Sequence, residues 1–205
     1  MTRIGIYGGT FSPPHNGHVA AAKAFMEQMW LDLLFVIPAA IPPHKEMDCP
    51  VSAEDRYRMT QLAFAGIEGV YVSDMEIRRG GKSYTVDTLR ELSGDDRRLF
   101  LLCGTDMMLT LDEWHEADEI FRLCYPVYAR REKDPLLDGI IVKKIAEYKE
   151  KYGKIVRKIQ LEPVEISSHQ IRETIAGGGS AGEWLPPQVE RYIVGKHLYG
   201  CADRS

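Results

Sequence analysis

The chain has 205 residues, of which 44% are hydrophobic, and a formal net charge of -4. This length suits one α/β domain, and the apolar fraction excludes a disordered chain. The negative charge disfavours nucleic acid as a partner, and the longest apolar stretch, residues 31–41, is too short to span a bilayer. Because the chain starts directly with a strand pattern rather than a signal peptide, we expect a cytoplasmic protein without a membrane partner.

The cysteines and histidines show neither a disulfide framework nor a metal pattern. Cys49, Cys103, Cys124 and Cys201 lie far apart and form no CxxC pair. A small disulfide-stabilised protein would have a denser arrangement. We expect reduced thiols and no metal site built from protein ligands.

The first predicted elements form a βαβ unit. Residues 3–7 are a β-rich run that ends at two glycines, as a buried strand entering a tight loop does. Apolar residues then recur at helical spacing within residues 15–30, with Asn16 as the expected cap. Residues 33–37 form an apolar run stopped by Pro38, which predicts a second strand and a right-handed crossover.

Strand and helix patterns continue to alternate along the rest of the chain. This alternation predicts a doubly wound, mostly parallel Rossmann-like sheet with helices on both faces, in one domain over residues 1–205 with a helical C-terminal part from about residue 165. Ligands of such sheets bind beyond the carboxyl ends of the strands, near the point where the strand order reverses. The predicted elements are a loop at 41–45, helices at 53–66, 84–92 (capped by Ser83), 140–152, 168–175 and 187–195, and strands at 70–73, 99–103, 124–128 and 158–161.

The sequence GGTFSPPHNGH, residues 8–18, connects the first strand to the first helix. Gly8 and Gly9 let backbone N–H groups approach a phosphate closely, and the following helix directs its partial positive charge to the same place. His15 and His18 are three residues apart at the helix start, so both rings can face one point. Gly17 leaves room for a flat group against the backbone. The pattern is neither the Rossmann nor the Walker glycine motif.

A second motif, EISSHQIR, occupies residues 165–172 and begins a helix after a strand. Ser167 and Ser168 offer hydroxyl and N–H groups at the helix start, which is a site for an anion. Arg172 lies one turn further on and can bind phosphate oxygens with its forked guanidinium.

Both motifs resemble signatures of the HxGH nucleotidyltransferase superfamily. Residues 8–18 are similar to the GGTFDPPHxGH form of bacterial nicotinate-mononucleotide adenylyltransferases, with Ser12 in place of the usual Asp. Residues 166–172 resemble the ISSTxIR motif, with His169 in place of Thr. The occurrence of both, in this order and about a domain apart, makes coincidence a poor explanation.

Shorter segments between the motifs also resemble this family. The loop PPHK ends at Lys45, residues 83–85 read SYT, and residues 104–107 read GTDM where the family has GADM. Trp114 stands where the family has an aromatic residue against the pyridine ring, although core packing explains a single Trp equally well. Ala129-Arg130 matches the beginning of the family's ARPG stretch.

The resemblance implies transfer of an adenylyl group from ATP to nicotinate mononucleotide, with Mg²⁺ held mainly by the ATP phosphates. It implies that His15, His18, Arg172 and Lys45 are catalytic. The implied ATP ligands are Gly8, Gly9, Thr10, Phe11, His15, Gly17, His18, Ile166, Ser167, Ser168 and Arg172, and the implied mononucleotide ligands are Lys45, Ser83, Tyr84, Thr85, Gly104, Asp106, Trp114 and Arg130.

Other hypotheses stay open at this point. The acceptor is alternatively nicotinamide mononucleotide, phosphopantetheine or glycerol phosphate, and a non-catalytic nucleotide sensor is an alternative from another class. A relative of class I aminoacyl-tRNA synthetases is disfavoured because no KMSKS-like loop is present. The lysines of residues 143–158 alternate with tyrosines at helical spacing, which indicates a solvated helix face rather than a nucleic-acid site. A homo-oligomer is compatible with the sequence.

Overall fold

The computed structural model describes residues 1–43, 51–130, 135–161 and 166–200. Within these ranges the chain alternates between strands and helices, as the sequence predicts. The six strands are β1 (Thr2–Gly9), β2 (Leu33–Pro38), β3 (Val70–Val72), β4 (Arg97–Gly104), β5 (Cys124–Ala129) and β6 (Arg157–Ile159). The nine α-helices of this part of the chain are α1 (Asn16–Gln28), α2 (Ala53–Phe64), α3 (Met75–Arg79), α4 (Thr85–Leu92), α5 (Thr105–Leu109), α6 (Ala117–Leu123), α7 (Leu136–Tyr152), α8 (Ser168–Ala176) and α9 (Pro187–Gly195), with 3-10 turns at Leu111–Glu113 and Leu198–Gly200.

The strands form one sheet in the order β3-β2-β1-β4-β5-β6. Strand β1 runs parallel to β4, β4 parallel to β5, and β5 parallel to β6. The strand order reverses between β1 and β4, and residues 99–103 at the centre of β4 are buried, as an apolar strand of a covered parallel sheet should be. The Rossmann-like α/β fold class is therefore confirmed.

The chain divides into two compact units, and each contributes parts of several elements. The first unit comprises Met1–Gly8, Ala21–Phe35 and Tyr84–Glu165, and the second comprises Gly9–Ala20, Val36–Ser83 and Ile166–Ser205. The helices predicted near the C-terminus are α8 and α9, and both belong to the second unit together with α2. The single domain over residues 1–205 stays a prediction.

Two of the expected helix caps are wrong. Helix α1 already begins at Asn16, and the Asn16 side chain donates to the carbonyl of Glu183 at 3.2 Å instead of capping the helix. Helix α4 begins at Thr85 with Tyr84 before it, one residue later than predicted. The Ser83 hydroxyl does not cap α4, because it accepts a hydrogen bond from the backbone N–H of Ala40 at 2.8 Å.

The sequence patterns also missed three short helices, which are α3, α5 and α6. They contain five, five and seven residues, and so few residues show no clear helical periodicity. By contrast, the helix predicted at residues 140–152 is confirmed as part of α7, in which Ile141 and Tyr148 are buried. No helix in the described part of the chain has the length and apolar character that a membrane crossing requires.

Candidate active site

The two histidines of the N-terminal motif contact each other at the start of α1, in the second unit. Their ring centroids are 3.8 Å apart, and His15 is 1% exposed while His18 is half-buried. The Nδ1 atom of His18 accepts the backbone N–H of His15 at 3.2 Å. In its neutral form His18 therefore carries its proton on Nε2, so Nε2 is a hydrogen-bond donor. The HxGH spacing does bring both rings to one place.

A side chain at residue 17 would crowd the His15 ring. A Cβ atom at residue 17 would lie 3.0 Å from Nδ1 and 3.1 Å from Cε1 of His15, and 3.7 Å from Cγ2 of Ile166. The sequence predicts that Gly17 leaves room for a flat group, and in this structure the flat group is the imidazole of His15. Gly17 and Ile166, both expected in the ATP site, are neighbours.

The loop before the histidines contains a non-glycine residue in the left-handed region. Phe11 has a φ of 49° and is 2% exposed. Its ring meets the His18 ring edge-on at 5.1 Å between centroids, and a Cβ at Gly9 would lie 3.0 Å from the Phe11 ring. A residue other than glycine in this conformation needs support from its surroundings. The buried Phe11 ring supplies that support and at the same time contacts His18.

The C-terminal motif binds the backbone of the N-terminal loop. Nη1 of Arg172 donates to the carbonyl of Ser12 at 2.9 Å, and the Ser168 hydroxyl donates to the carbonyl of Pro13 at 2.9 Å. Ser12 is also buried, with its Oγ 3.1 Å from Oη of Tyr199. The two motifs therefore converge within the second unit.

Ser167 caps helix α8 in the way that its sequence context predicts. Its Oγ accepts the backbone N–H of Gln170 at 3.2 Å, and Oε1 of Gln170 accepts the backbone N–H of Ser167 at 3.0 Å. This reciprocal pair is a capping box. Both motif serines thus have bonding partners in this structure, and their expected contact with pyrophosphate stays a prediction.

The loop after β2 carries the expected PPHK segment, of which the structure describes residues up to Pro43. His44 and Lys45 lie outside the described residues. Ser83 fixes the start of this loop, because its Oγ accepts from Ala40 N and its backbone N–H donates to the carbonyl of Ile41 at 2.9 Å. Ser83 is 7% exposed, and its observed contacts are with this loop.

The first unit holds most of the other residues expected to bind the mononucleotide. Gly104 ends β4 beside Ala129 at the end of β5, so Arg130 follows at the same edge of the sheet. Asp106 is exposed in the first turn of α5, where a ligand can reach it. Arg130 forms an ion pair with Asp138, a residue of the first turn of α7.

Tyr84 and Thr85 start helix α4, and Tyr84 contacts a residue that the sequence analysis did not select. The rings of Tyr84 and His115 have centroids 4.3 Å apart with a tilt of 34°. His115 directly follows Trp114, and this position beside an aromatic residue in a loop is the sequence feature that could have indicated it as a site residue.

Trp114 is half-buried after the turn Leu111–Glu113 and lines an open pocket of about 560 Å³. Four of that pocket's residues are carboxylates, so it does not suit a phosphate: Asp112, Glu116, Asp118 and Glu119.

A polar cluster supports the chain just before Trp114. Oη of the buried Tyr148 shares its proton between the carbonyl of Met108 at 2.8 Å and Oδ1 of Asp112 at 2.9 Å. Nζ of Lys144 donates to Oδ2 of Asp112 at 2.9 Å. Burial by itself raises the pKa of Asp112, but the hydrogen bonds from Lys144 and Tyr148 outweigh it and hold the pKa below its usual value. Helix α7 thereby anchors the segment that follows GTDM.

Arg56, a fully buried residue of α2, is absent from the residues that the sequence predicts for the site. Its guanidinium donates to the carbonyl of Thr10 and to that of Ala40. An arginine normally indicates a solvated position. The sequence feature that could have indicated a buried position is the spacing of Arg56 along α2. Arg56 shares the buried face of this helix with residues three, four, seven and eight positions further on, namely Met59, Thr60, Ala63 and Phe64.

Comparison with known proteins shows which protein family the chain matches. The profile of the cytidylyltransferase-like family matches residues 6–174, which span both motifs. A solved structure, the Plasmodium falciparum nicotinic acid mononucleotide adenylyltransferase complexed with NaAD, superposes with a TM-score of 0.77 over 98% of this chain and 99% of that chain, at 17% identity. The fold and the paired-histidine loop define a nucleotidyltransferase.

Sequence relatives show which family of nucleotidyltransferases the chain resembles. A protein from Thermoanaerobacter sp. (strain X514) is 37% identical over 96% of this chain and 94% of its own length. Another, from Shouchella clausii (strain KSM-K16), is 38% identical over 98% of both chains. Each is named "Probable nicotinate-nucleotide adenylyltransferase". The chain belongs to the nicotinate-nucleotide adenylyltransferase family.

Proposed function

We propose that this enzyme transfers the adenylyl group of ATP to nicotinate mononucleotide, forming nicotinate adenine dinucleotide and pyrophosphate in the biosynthesis of NAD. A phosphate oxygen of the mononucleotide forms a bond to the α-phosphorus of ATP. The bond from that phosphorus to the oxygen bridging to the β-phosphate breaks, and pyrophosphate leaves. The observation that carries the proposal is the paired His15 and His18 beside two glycines, in a chain 37% identical to a nicotinate-nucleotide adenylyltransferase relative.

This reaction needs no protein nucleophile, because the attacking phosphate is already ionised. Two cysteines of the described residues, Cys103 and Cys124, are buried and free of disulfides. Burial raises the pKa of both thiols, that of Cys124 to about 12, so both stay protonated. Catalysis then consists of positioning the phosphates and stabilising the charge on the transferring group. The free thiols also favour a reducing compartment, and we place the enzyme in the cytoplasm.

We assign the histidines to the ATP phosphates on either side of the bond that breaks. The N–H at Nε2 of neutral His18 donates to a phosphate oxygen, and its orientation is fixed by the bond from His15 N. His15 packs against His18 and keeps that ring in place. Backbone N–H groups of Gly8, Gly9 and Thr10 surround the phosphates, since glycine leaves their approach open.

Arg172 and the start of α8 are assigned to the leaving pyrophosphate. A guanidinium has five N–H donors, and the bond to Ser12 uses Nη1. This bond orients the side chain, so that other N–H groups can bind phosphate oxygens. The capped N-terminus of the nine-residue helix α8 adds its partial positive charge.

The nicotinate mononucleotide is assigned to the loops of the SYT and GTDM segments and to the lysine of PPHK. Asp106 accepts hydrogen bonds from ribose hydroxyls, and Trp114 packs against the pyridine ring. Lys45 and Arg130 neutralise the negative charge of the mononucleotide. The remaining members of this set are Ser83, Tyr84, Thr85 and Gly104.

We propose Mg²⁺ as the metal of the reaction. The described residues contain no group of three or more His, Cys, Asp or Glu side chains that could hold a metal ion. Mg²⁺ commonly binds substrate phosphates, keeps several waters and needs few protein carboxylates, so the residues present fit an ion carried by ATP. Bound in this way, it neutralises part of the phosphate charge.

The test is pyrophosphate release from ATP and Mg²⁺ with a panel of acceptors. The panel contains nicotinate mononucleotide, nicotinamide mononucleotide, phosphopantetheine and glycerol 3-phosphate, with a reaction lacking acceptor as the blank. We expect the highest kcat/KM with nicotinate mononucleotide. A preference for any other acceptor would replace the proposed substrate, and ATP binding without turnover of the panel would identify a nucleotide sensor.

A further inference from the structure

Arg56 is fully buried, with 0% of its surface exposed. A buried guanidinium carries a large desolvation penalty unless its N–H groups are hydrogen-bonded. Arg56 therefore needs hydrogen-bond acceptors at this position, and the surrounding backbone supplies two of them. Which acceptors these are indicates what the residue does.

The two terminal nitrogens of Arg56 bind two different loops of the second unit. Nη1 donates to the carbonyl of Thr10 at 2.9 Å, in the loop after β1, and Nη2 donates to the carbonyl of Ala40 at 3.0 Å, in the loop after β2. The same Ala40 donates its N–H to Ser83 Oγ at 2.8 Å. One planar group thus holds the two loops at a fixed separation.

The bond to Thr10 reaches the histidine pair through a short path. Thr10 precedes Phe11, whose backbone is in the left-handed region with a φ of 49° and whose buried ring contacts the His18 ring. A shift of the Thr10 carbonyl would move Phe11 and with it the surface against which His18 packs. On the other side, Ala40 lies five residues before Lys45 in the sequence.

Helix α2, which carries Arg56, is itself held at its first turn. The Ser52 hydroxyl accepts the backbone N–H of Asp55 at 3.0 Å. Oη of Tyr192, from α9, donates to Oδ1 of Asp55 at 2.9 Å. The guanidinium therefore extends from an anchored helix and can transmit the position of that helix to the two loops.

We propose that Arg56 is a positioning residue of the adenylyl transfer, which sets the loop of Thr10 and Phe11, and through it His18, against the loop after β2. This inference rests on the proposed function of His18. The forked, planar guanidinium binds two carbonyls in fixed directions at once, whereas a lysine offers a single ammonium on a flexible stem. Arg56→Lys therefore keeps a basic side chain and loses the fixed spacing.

The experiment measures kcat/KM for Arg56→Lys alone and in a His18→Ala background. Arg58→Lys is the matched control, because it makes the same chemical change on an exposed residue of the same helix. We expect Arg56→Lys to lower kcat/KM by about tenfold or more, since small misplacements of catalytic groups are costly, and Arg58→Lys to stay within about twofold of the wild type. In the His18→Ala background we expect Arg56→Lys to cost less than about threefold, because the side chain that it positions is missing.

The double-mutant comparison separates positioning from stability. A variant that is only less stable loses the same fraction of active molecules in both backgrounds, so an equal fold-loss in both would overturn the proposal. An Arg56→Lys enzyme within about twofold of the wild type would overturn it as well. If Arg56→Lys does not fold, as judged by circular dichroism, Arg56→Gln carries the same prediction because its amide can still reach one carbonyl. A wild type that turns over no acceptor refutes the proposed function, whereas an active wild type with an indifferent Arg56 refutes only this inference.

Discussion

The histidine loop (residues 9–18, in the second unit) and the segment after β4 (residues 105–123, in the first unit) are built in different ways. In the histidine loop, motif residues hold each other: Arg172 binds the Ser12 carbonyl, and His15 N binds His18. In the segment after β4, the motif residue Asp106 is exposed, and support comes from α7 through Tyr148. The first arrangement fixes the side chains of the loop before any ligand binds, which suits the charge stabilisation that we propose for it. The second leaves its motif side chains accessible to a mononucleotide.

The largest effect should follow from removal of a histidine ring, because we assign the phosphate chemistry to the histidine loop. We expect His18→Ala to lower kcat by about a hundredfold or more, as the loss of a positioned charge-stabilising donor does. Steady-state pyrophosphate release measures it. The control is His169→Ala, an exposed histidine whose Nε2 lies 3.3 Å from Oε1 of Glu173, which should retain most of the activity. Near-normal turnover of His18→Ala would show that His18 is not part of the catalytic site.

How much of the histidine loop the sequence predicts depends on distance along the chain. The roles of His15 and His18 are predictable because their spacing and the preceding glycines lie in one short segment. Arg56 and Tyr199, which hold the same loop, are distant in sequence and belong to residue types with many ordinary explanations. Local patterns therefore indicate the loop proposed to bind phosphate, but they do not indicate the residues that support this loop.

The next largest effect is expected from a change at Gly17, because the histidine loop is tightly packed at this residue. We expect Gly17→Ala to reduce kcat by roughly tenfold, because its Cβ displaces the His15 ring, and displaced catalytic groups lose rate. Gly139→Ala in α7 is the control, since a Cβ there meets no described atom within 4 Å. It should keep full activity and stabilise the helix by about 0.5 to 1 kcal/mol. Equal kinetics of the two variants would mean that the space beside His15 is not limiting.

The segment after β4 was harder to predict because its elements are short. The apolar strand β4 and the GTDM turn were recognisable, but α5 and α6 contain only five and seven residues. Their helical state depends on packing against other elements rather than on their own periodicity. Tyr148 is a buried residue of the predicted helix α7, yet its partner Asp112 is 36 residues away in sequence. Tertiary contacts therefore determine the structure of this segment.

A smaller, mainly structural effect is expected in the first unit. Tyr148→Phe removes the hydroxyl that binds Met108 and Asp112 and should lower the free energy of unfolding by about 1 to 2 kcal/mol. Chemical denaturation measures the loss. Tyr125→Phe is the control, because its described contacts are made by the ring with Lys154 and Arg98. A loss of kcat for Tyr148→Phe as large as that for Gly17→Ala would contradict the distinction between the two regions.

The smallest expected effect is the pH dependence of stability that Asp112 contributes. The hydrogen bonds from Lys144 and Tyr148 hold its pKa below the usual value in the folded state, so the unfolded state binds the proton more readily. The contribution is present above the unfolded pKa of about 3.9 and is lost as the pH falls through the lower folded pKa. We therefore expect the free energy of unfolding, measured by chemical denaturation between about pH 5 and pH 3, to change with pH most steeply for the wild type. The slope against pH should be smaller for Tyr148→Phe and smallest for Asp112→Asn. Identical slopes for the three proteins would show that Asp112 does not link α7 to the segment after β4 through its charge.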